Sequence, residues 1–162
     1  MKVLVLDGYN VIHAIPELEK FLDVSLESAR NALVRMCESV AASRGDFGRI
    51  DVVFDGRDEF TFLPDLRLGR VRIIFSGSDE KADGRILELI KEEKASFLIV
   101  SDDRDVYHGG RDHSADVMKT AEFYRRYVSK IKEARPAKPL PLSRETAQKI
   151  TEEYKRHLGL GD

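Results

Sequence analysis

The chain has no tryptophan, one cysteine and four histidines in 162 residues, and each scarcity closes a class of function. A lone Cys37 can close no internal disulfide and supplies no thiolate set for zinc. Lying between Met36 and Val40 in a helical pattern, it reads as a small core residue of a protein kept in a reducing compartment. His13, His108, His113 and His157 are too scattered to pair as metal ligands, and surface or capping roles suit them better than catalysis. No apolar run reaches membrane length, and the one behind Met1 and Lys2 is shorter than a signal h-region. The expectation is a cytoplasmic protein with no membrane partner. Neither Gly-x-Gly-x-x-Gly nor Gly-x-x-x-x-Gly-Lys occurs, which removes dinucleotide and P-loop readings and with them a nucleotide cofactor.

What is present is charge, unevenly placed. The net charge of -2 divides into -7 over residues 1–118 and +5 over residues 119–162. Charge counts of this kind usually describe solvated helix faces, but an acidic body with a basic tail also suits an enzyme that holds cations in its site and a polyanion along its flank. In the tail, Arg125, Arg126 and Lys130 stand on a helical pattern whose inward residues are Tyr124, Tyr127, Val128 and Ile131. They are candidates for phosphate contacts.

Apolar runs at residues 3–6, 50–54, 71–75 and 97–100 read as strands buried on both faces, because half-buried strands would alternate. Residues 114–118 suggest a short fifth strand, and helical patterns separate the runs: 25–43 behind a Ser25 cap, 79–90, and 120–134 with Thr120 as cap. Residues 57–69 and the pair Gly109-Gly110 read as loops, and residues 16–22 as a short helix or loop. Strands alternating with helices give an α/β fold, a parallel sheet with right-handed crossovers. A length of 162 residues suits one domain: a core over 1–134, a proline-rich connector over 135–142 and a last helix over 143–158.

Acids gather where the strands stop. Asp7 ends the first strand, Asp55 the second, and Asp102, Asp103 and Asp105 follow the fourth, while Glu80 and Asp83 stand at a helix start. Open α/β sheets bind ligands beyond the carboxyl ends of their strands. Carboxylates converging there repel unless protonated or bridged by a cation, and an oxygen-only donor set suits Mg²⁺ or Mn²⁺. Such a site can activate water against a phosphodiester. Each feature alone has a plainer explanation: Asp7-Gly8 as a turn, Asn10 as a cap, Glu80 as a partner for the helix macrodipole, Tyr9 as packing.

Taken together, Asp7-Gly8-Tyr9-Asn10, Phe54-Asp55-Gly56, Glu80-Lys81-Ala82-Asp83, Ser101-Asp102-Asp103-Arg104-Asp105 and Ala121-Glu122-Phe123 resemble the NYN domain of PIN-like ribonucleases, in particular the YacP-type group. The resemblance implies a three-layer fold with a parallel sheet of about five strands in the order 3-2-1-4-5. It also implies divalent-metal-dependent endonucleolytic cleavage of RNA. On the matching positions Asp7, Asp83 and Asp103 would be the principal metal ligands, Asp105 and Glu80 supporting acids, and Asn10 an orienting group. Asp55 and Asp102 take supporting places, and Tyr9 and Arg104 stand where substrate would pass. The RNA is expected free or presented in a larger RNA–protein assembly. Lys81 replaces a small hydroxyl residue usual in the family, and Asp102 replaces Ser or Asn. The second departure leaves open whether Asp102 or Asp103 faces the metal, and Asp103 keeps the better spacing to Asp105. Two rival readings are weaker. A phosphoacceptor domain built on Asp55 lacks the Lys-Pro such a site needs, and a purely RNA-binding module has no use for clustered acids against phosphates.

Overall fold

The computed structural model describes residues 1–56, 65–77, 80–134, 148 and 151–152. The connector and nearly all of the last helix expected from the sequence lie outside the described residues, as do 57–64. β1 (Lys2–Asp7) runs through the middle of a six-stranded sheet, parallel to β2 (Phe47–Phe54) on one side and to β5 (Phe97–Val100) on the other. β4 (Val71–Phe75) extends the sheet beyond β2, and β6 (Asp116–Met118) extends it beyond β5, both in parallel. These five strands keep the 3-2-1-4-5 order. A sixth, β3 (Leu66–Leu68), pairs antiparallel with β4 at the edge. It falls in the stretch expected to be loop, because three residues with only Leu66 buried leave too little pattern to read.

Side chains of β1 alternate between two cores. Leu4 and Leu6 pack with α1 (Gly8–Ala14), α2 (Pro16–Glu19), α3 (Leu26–Ser43) and α6 (Thr120–Phe123) on one face, and Val3 and Val5 with α4 (Ala82–Glu92) and α5 (Arg104–Asp112) on the other. Burying a Val or Leu side chain contributes about 1.5–3 kcal/mol, and all four are buried, which is why the innermost strand shows no alternation in sequence. The side chain of Ser25 accepts from the Ser28 N–H at 3.0 Å and caps α3 as expected. α1 starts directly at Gly8, with Val11, Ile12 and Ile15 buried, where the sequence suggested only a turn.

Two expectations need correction. Gly109 and Gly110 are helical, the last turn of α5, and form no loop. A Cβ at Gly110 would lie 2.9 Å from Ile99 and Val117, and one at Gly109 would lie 2.8 Å from Leu87. The glycines let α5 approach the sheet and α4. Thr120 does not cap its helix; it is the first helical residue, and its N–H donates to the Asp102 carboxylate at 3.0 Å.

A fully buried carboxylate, Asp51, sits mid-strand in β2. It receives paired donors from Arg49 at 2.9 and 2.9 Å and from Arg72 of β4 at 3.0 and 2.8 Å. Both guanidiniums also reach Glu93 behind α4, at 2.6 and 3.0 Å. The cluster binds β2, β4 and the end of α4 into one unit. Removing one partner of a buried pair leaves the others uncompensated, so Asp51→Ala should lower unfolding stability by about 3 kcal/mol in a urea titration. A loss below about 0.5 kcal/mol, in the range of an ordinary surface substitution, would show the cluster to be energetically idle.

Candidate active site

The carboxyl ends of β1, β2 and β5 and the starts of α1, α4, α5 and α6 meet at one edge of the sheet. Helix starts leave backbone N–H groups without intrahelical partners, and the acids at this edge are arranged to meet them. Asp103 stands at the N-cap of α5, and its Oδ1 accepts from the N–H groups of Asp105 and Val106 at 2.7 and 3.2 Å. Asp55 Oδ1 accepts from the Ala82 N–H at 2.5 Å, the first residue of α4, so the end of β2 holds the start of the helix that carries Asp83. Asp83 Oδ1 accepts from the adjacent Gly84 N–H at 2.9 Å. Asp102 serves α6.

Asp7 differs. It occupies the N-cap position of α1 without accepting a backbone bond there, and among the described residues its Oδ2 receives only the Ser101 hydroxyl, at 3.3 Å. Burial pushes its carboxyl up, the Ser101 hydrogen bond pulls it down, and the charges of Asp55, Asp103 and Asp83 push it further, to about 6. Four carboxylates therefore share one electrostatic neighbourhood. Among the described residues no three acid, imidazole or thiol groups close a coordination shell by themselves.

The remaining expected residues fall around this centre. Asn10 Oδ1 accepts from the Asp102 N–H at 3.0 Å, so Asn10 fixes the β5–α5 loop and makes no direct bond to Asp7. Of the two neighbouring acids it is Asp103 whose charge acts on Asp7, while Asp102 is committed to Thr120. Asp105 is exposed in the first turn of α5, as is Arg104. Glu80 is pushed up by burial first and then by Glu88, with Arg85 opposing, and its side chain lies against Gly84 in the first turn of α4. The Tyr9 ring packs 5.0 Å from that of Phe54, and its hydroxyl accepts from Arg30 at 3.1 Å, a packing role.

Arg125 and Arg126 lie in a π-type turn (Tyr124–Val128) that descends from α6 past the sheet, and α7 (Ser129–Ala134) carries Lys130 beyond them. Arg126 lines an open depression of about 580 Å³ with Lys2, Asp46, Ser96 and Asp116, all at the opposite end of the strands. The helix is basic, but Arg126 is not brought to the acids. Sequence reading passed over Ser101 as a functional group. It is fully buried, donates to Asp7 and accepts from the Asp103 N–H at 3.1 Å, joining the two acids. Its signal was its place, the first polar residue after a fully buried strand.

The raised Asp7 carboxyl has a stability consequence. Its folded value lies above the ordinary 3.8, so the folded state binds the extra proton and its relative stability is greatest below about pH 4. Stability falls as pH rises to 6 and stays lower above it, by about 2–3 kcal/mol at 1.36 kcal/mol per unit. Asp7→Asn should therefore unfold later than the parent at pH 7.5 without divalent ions, and the advantage should vanish at pH 4. An Asp7→Asn protein less stable at both would mark the carboxylate as structural.

The model of the YacP-like NYN domain matches residues 4–158. A curated relative, the uncharacterized protein YacP of Bacillus subtilis, is 35% identical over 89 residues, 55% of this chain, and the match spans about half (51%) of that protein's length. The crystal structure of Rae1 (YacP) from Bacillus subtilis superposes with a TM-score of 0.62 at 26% identity, covering 96% of this chain and 95% of that one. A single-residue mutant of the same protein gives a TM-score of 0.67 at 25% identity, over 98% of this chain and 90% of that one. NYN domains fall in the PIN-like nuclease superfamily, a family that generally hydrolyses RNA. The family match over residues 4–158 and the likeness to the solved YacP structures agree: the chain belongs to the YacP-like NYN domain family.

Proposed function

We propose that the chain is a divalent-metal-dependent endoribonuclease whose centre is Asp7 with Asp83 and Asp103. The observation that carries this reading is the treatment of Asp7. A half-buried carboxylate is left without a backbone donor at a helix start and, among the described residues, is faced by three other carboxylates and no cation. A fold gains nothing from that arrangement until a cation enters it. Asp7, Asp83 and Asp103 would hold Mg²⁺ or Mn²⁺, with Asp105 and Glu80 as outlying acids. The metal, when bound, would neutralise phosphate charge and lower the pKa of a water.

The chain's own residues do the rest. Ser101 holds the Asp7 and Asp103 segments in register, Asn10 and Asp102 fix the loop between β5 and α5, and Asp55 holds the start of α4 and so the position of Asp83. The substrate is RNA, free or presented within a larger RNA–protein assembly, in the cytoplasm. No helix of the described residues is long and apolar enough to cross a membrane.

The test is incubation of structured and single-stranded RNAs with Mn²⁺ or Mg²⁺. Asp7→Asn and Asp103→Asn should each reduce kcat/KM by about 100-fold or more, at or beyond the upper end of the loss seen for residues that only support metal ligands. Cleavage that survives exhaustive chelation would overturn the metal mechanism. A second comparison separates holding from supporting: Asp55→Ala should lower activity less than Asp83→Ala, because Asp55 acts through α4. The reverse order would exchange their roles.

A further inference from the structure

Beyond the acids, on the α5 side, Tyr107 is a half-buried ring with two exposed cations near it and the His108 ring edge-on at 5.5 Å. The Lys119 ammonium lies 5.8 Å from the Tyr107 centroid and the Arg111 guanidinium 5.7 Å. Arg111 Nη1 also donates to the Tyr107 hydroxyl at 3.0 Å, and Lys119 Nζ donates to the Asp102 carbonyl at 3.4 Å. Lys119 thus joins this group to the loop that holds Asp103. Tyr107 and Arg111 stand one helical turn apart on α5, with Arg104 at its start, so the group forms a strip leading away from the acid centre. The acids along the same helix are Asp105 and Asp112, both exposed.

Cation–π pairs at exposed positions add little to stability, and a half-buried ring with exposed cations beside it offers what a polyanion carrying flat bases needs. Single-stranded nucleic acid is held by positive side chains that follow its backbone and by aromatic rings on which bases stack, with little dependence on sequence. We infer that Tyr107, Lys119 and Arg111 form the track along which an unpaired RNA segment leaves the acid centre, one base on Tyr107 and neighbouring phosphates on Lys119 and Arg111. The track rests on the nuclease reading and says where on the fold the strand runs. It also assigns the path to α5 and β6, away from the basic helix that carries Arg125, Arg126 and Lys130.

Binding is measured on the full chain without divalent ions, so the result does not depend on cleavage. The probe is a short labelled single-stranded oligoribonucleotide of mixed sequence, followed by fluorescence anisotropy against salt. Tyr107→Leu should raise Kd about 10-fold for the single strand and leave binding of the same sequence in duplex unchanged, while Tyr107→Phe binds as the parent does. Lys119→Gln with Arg111→Gln should flatten the slope of log K against log salt by about 1.4, two phosphate contacts on a single strand. Arg125→Gln with Arg126→Gln should leave that slope in place. Kd within twofold of the parent for Tyr107→Leu, an unaltered slope for the Lys119 and Arg111 pair, or equal loss in Tyr107→Phe and Tyr107→Leu would each overturn the track. An absence of RNA cleavage in an enzyme that still shows these binding effects would overturn the nuclease reading alone.

Discussion

At neutral pH the innermost strand ends in a charge the fold would be more stable without. The Asp7 carboxyl is pushed to about 6 by burial and by three neighbouring carboxylates, and only the Ser101 hydroxyl pulls against them. The rest of the carboxyl edge answers this repulsion. Asp55, Asp102 and Asp103 each accept backbone N–H groups at the start of a helix, α4, α6 and α5 in turn. The positive ends of those helices steady the acids around Asp7. The same bonds fix the loops, so the negative centre and the architecture of the edge are one construction.

A second carboxylate in the sheet shows what the fold does when an acid is structural. Asp51 is fully buried and takes paired donors from two arginines, which Glu93 then bridges. Asp7, two strand positions beyond the Asp51 register on the neighbouring strand, meets other acids in place of arginines. The contrast separates charge neutralised by arginines from charge that neighbouring acids raise. Asp51 binds β2 to β4 and α4, the elements that deliver Asp55 and Asp83, so the neutral cluster supports the charged one.

Much of this is legible in the residues. Strands buried on both faces announce themselves as mainly apolar runs, broken in β2 and β4 only by Asp51 and Arg72, and acids standing where those runs stop mark the candidate edge. Less legible was whatever depends on tertiary approach. Gly109-Gly110 reads as a loop until α5 is seen pressed against Ile99, Val117 and Leu87. Asp102 and Asp103 are indistinguishable as neighbours in a string; only the placing of Thr120 and Val106 assigns one to α6 and the other to α5. Helical period puts Arg125, Arg126 and Lys130 outward but not which end of the sheet they flank. The Tyr107 group draws on residues 107, 111 and 119, joined only when β6 returns beside α5.

The most direct test of the central claim is a carboxyl carbon NMR titration of Asp7 in the full chain, metal-free and with saturating Mg²⁺. A carboxylate raised by burial and by its acid neighbours, and kept for a cation, titrates near 6 without metal and moves below its ordinary 3.8 when Mg²⁺ is present. An Asp7 that titrates near 3.8 in both conditions would contradict the account.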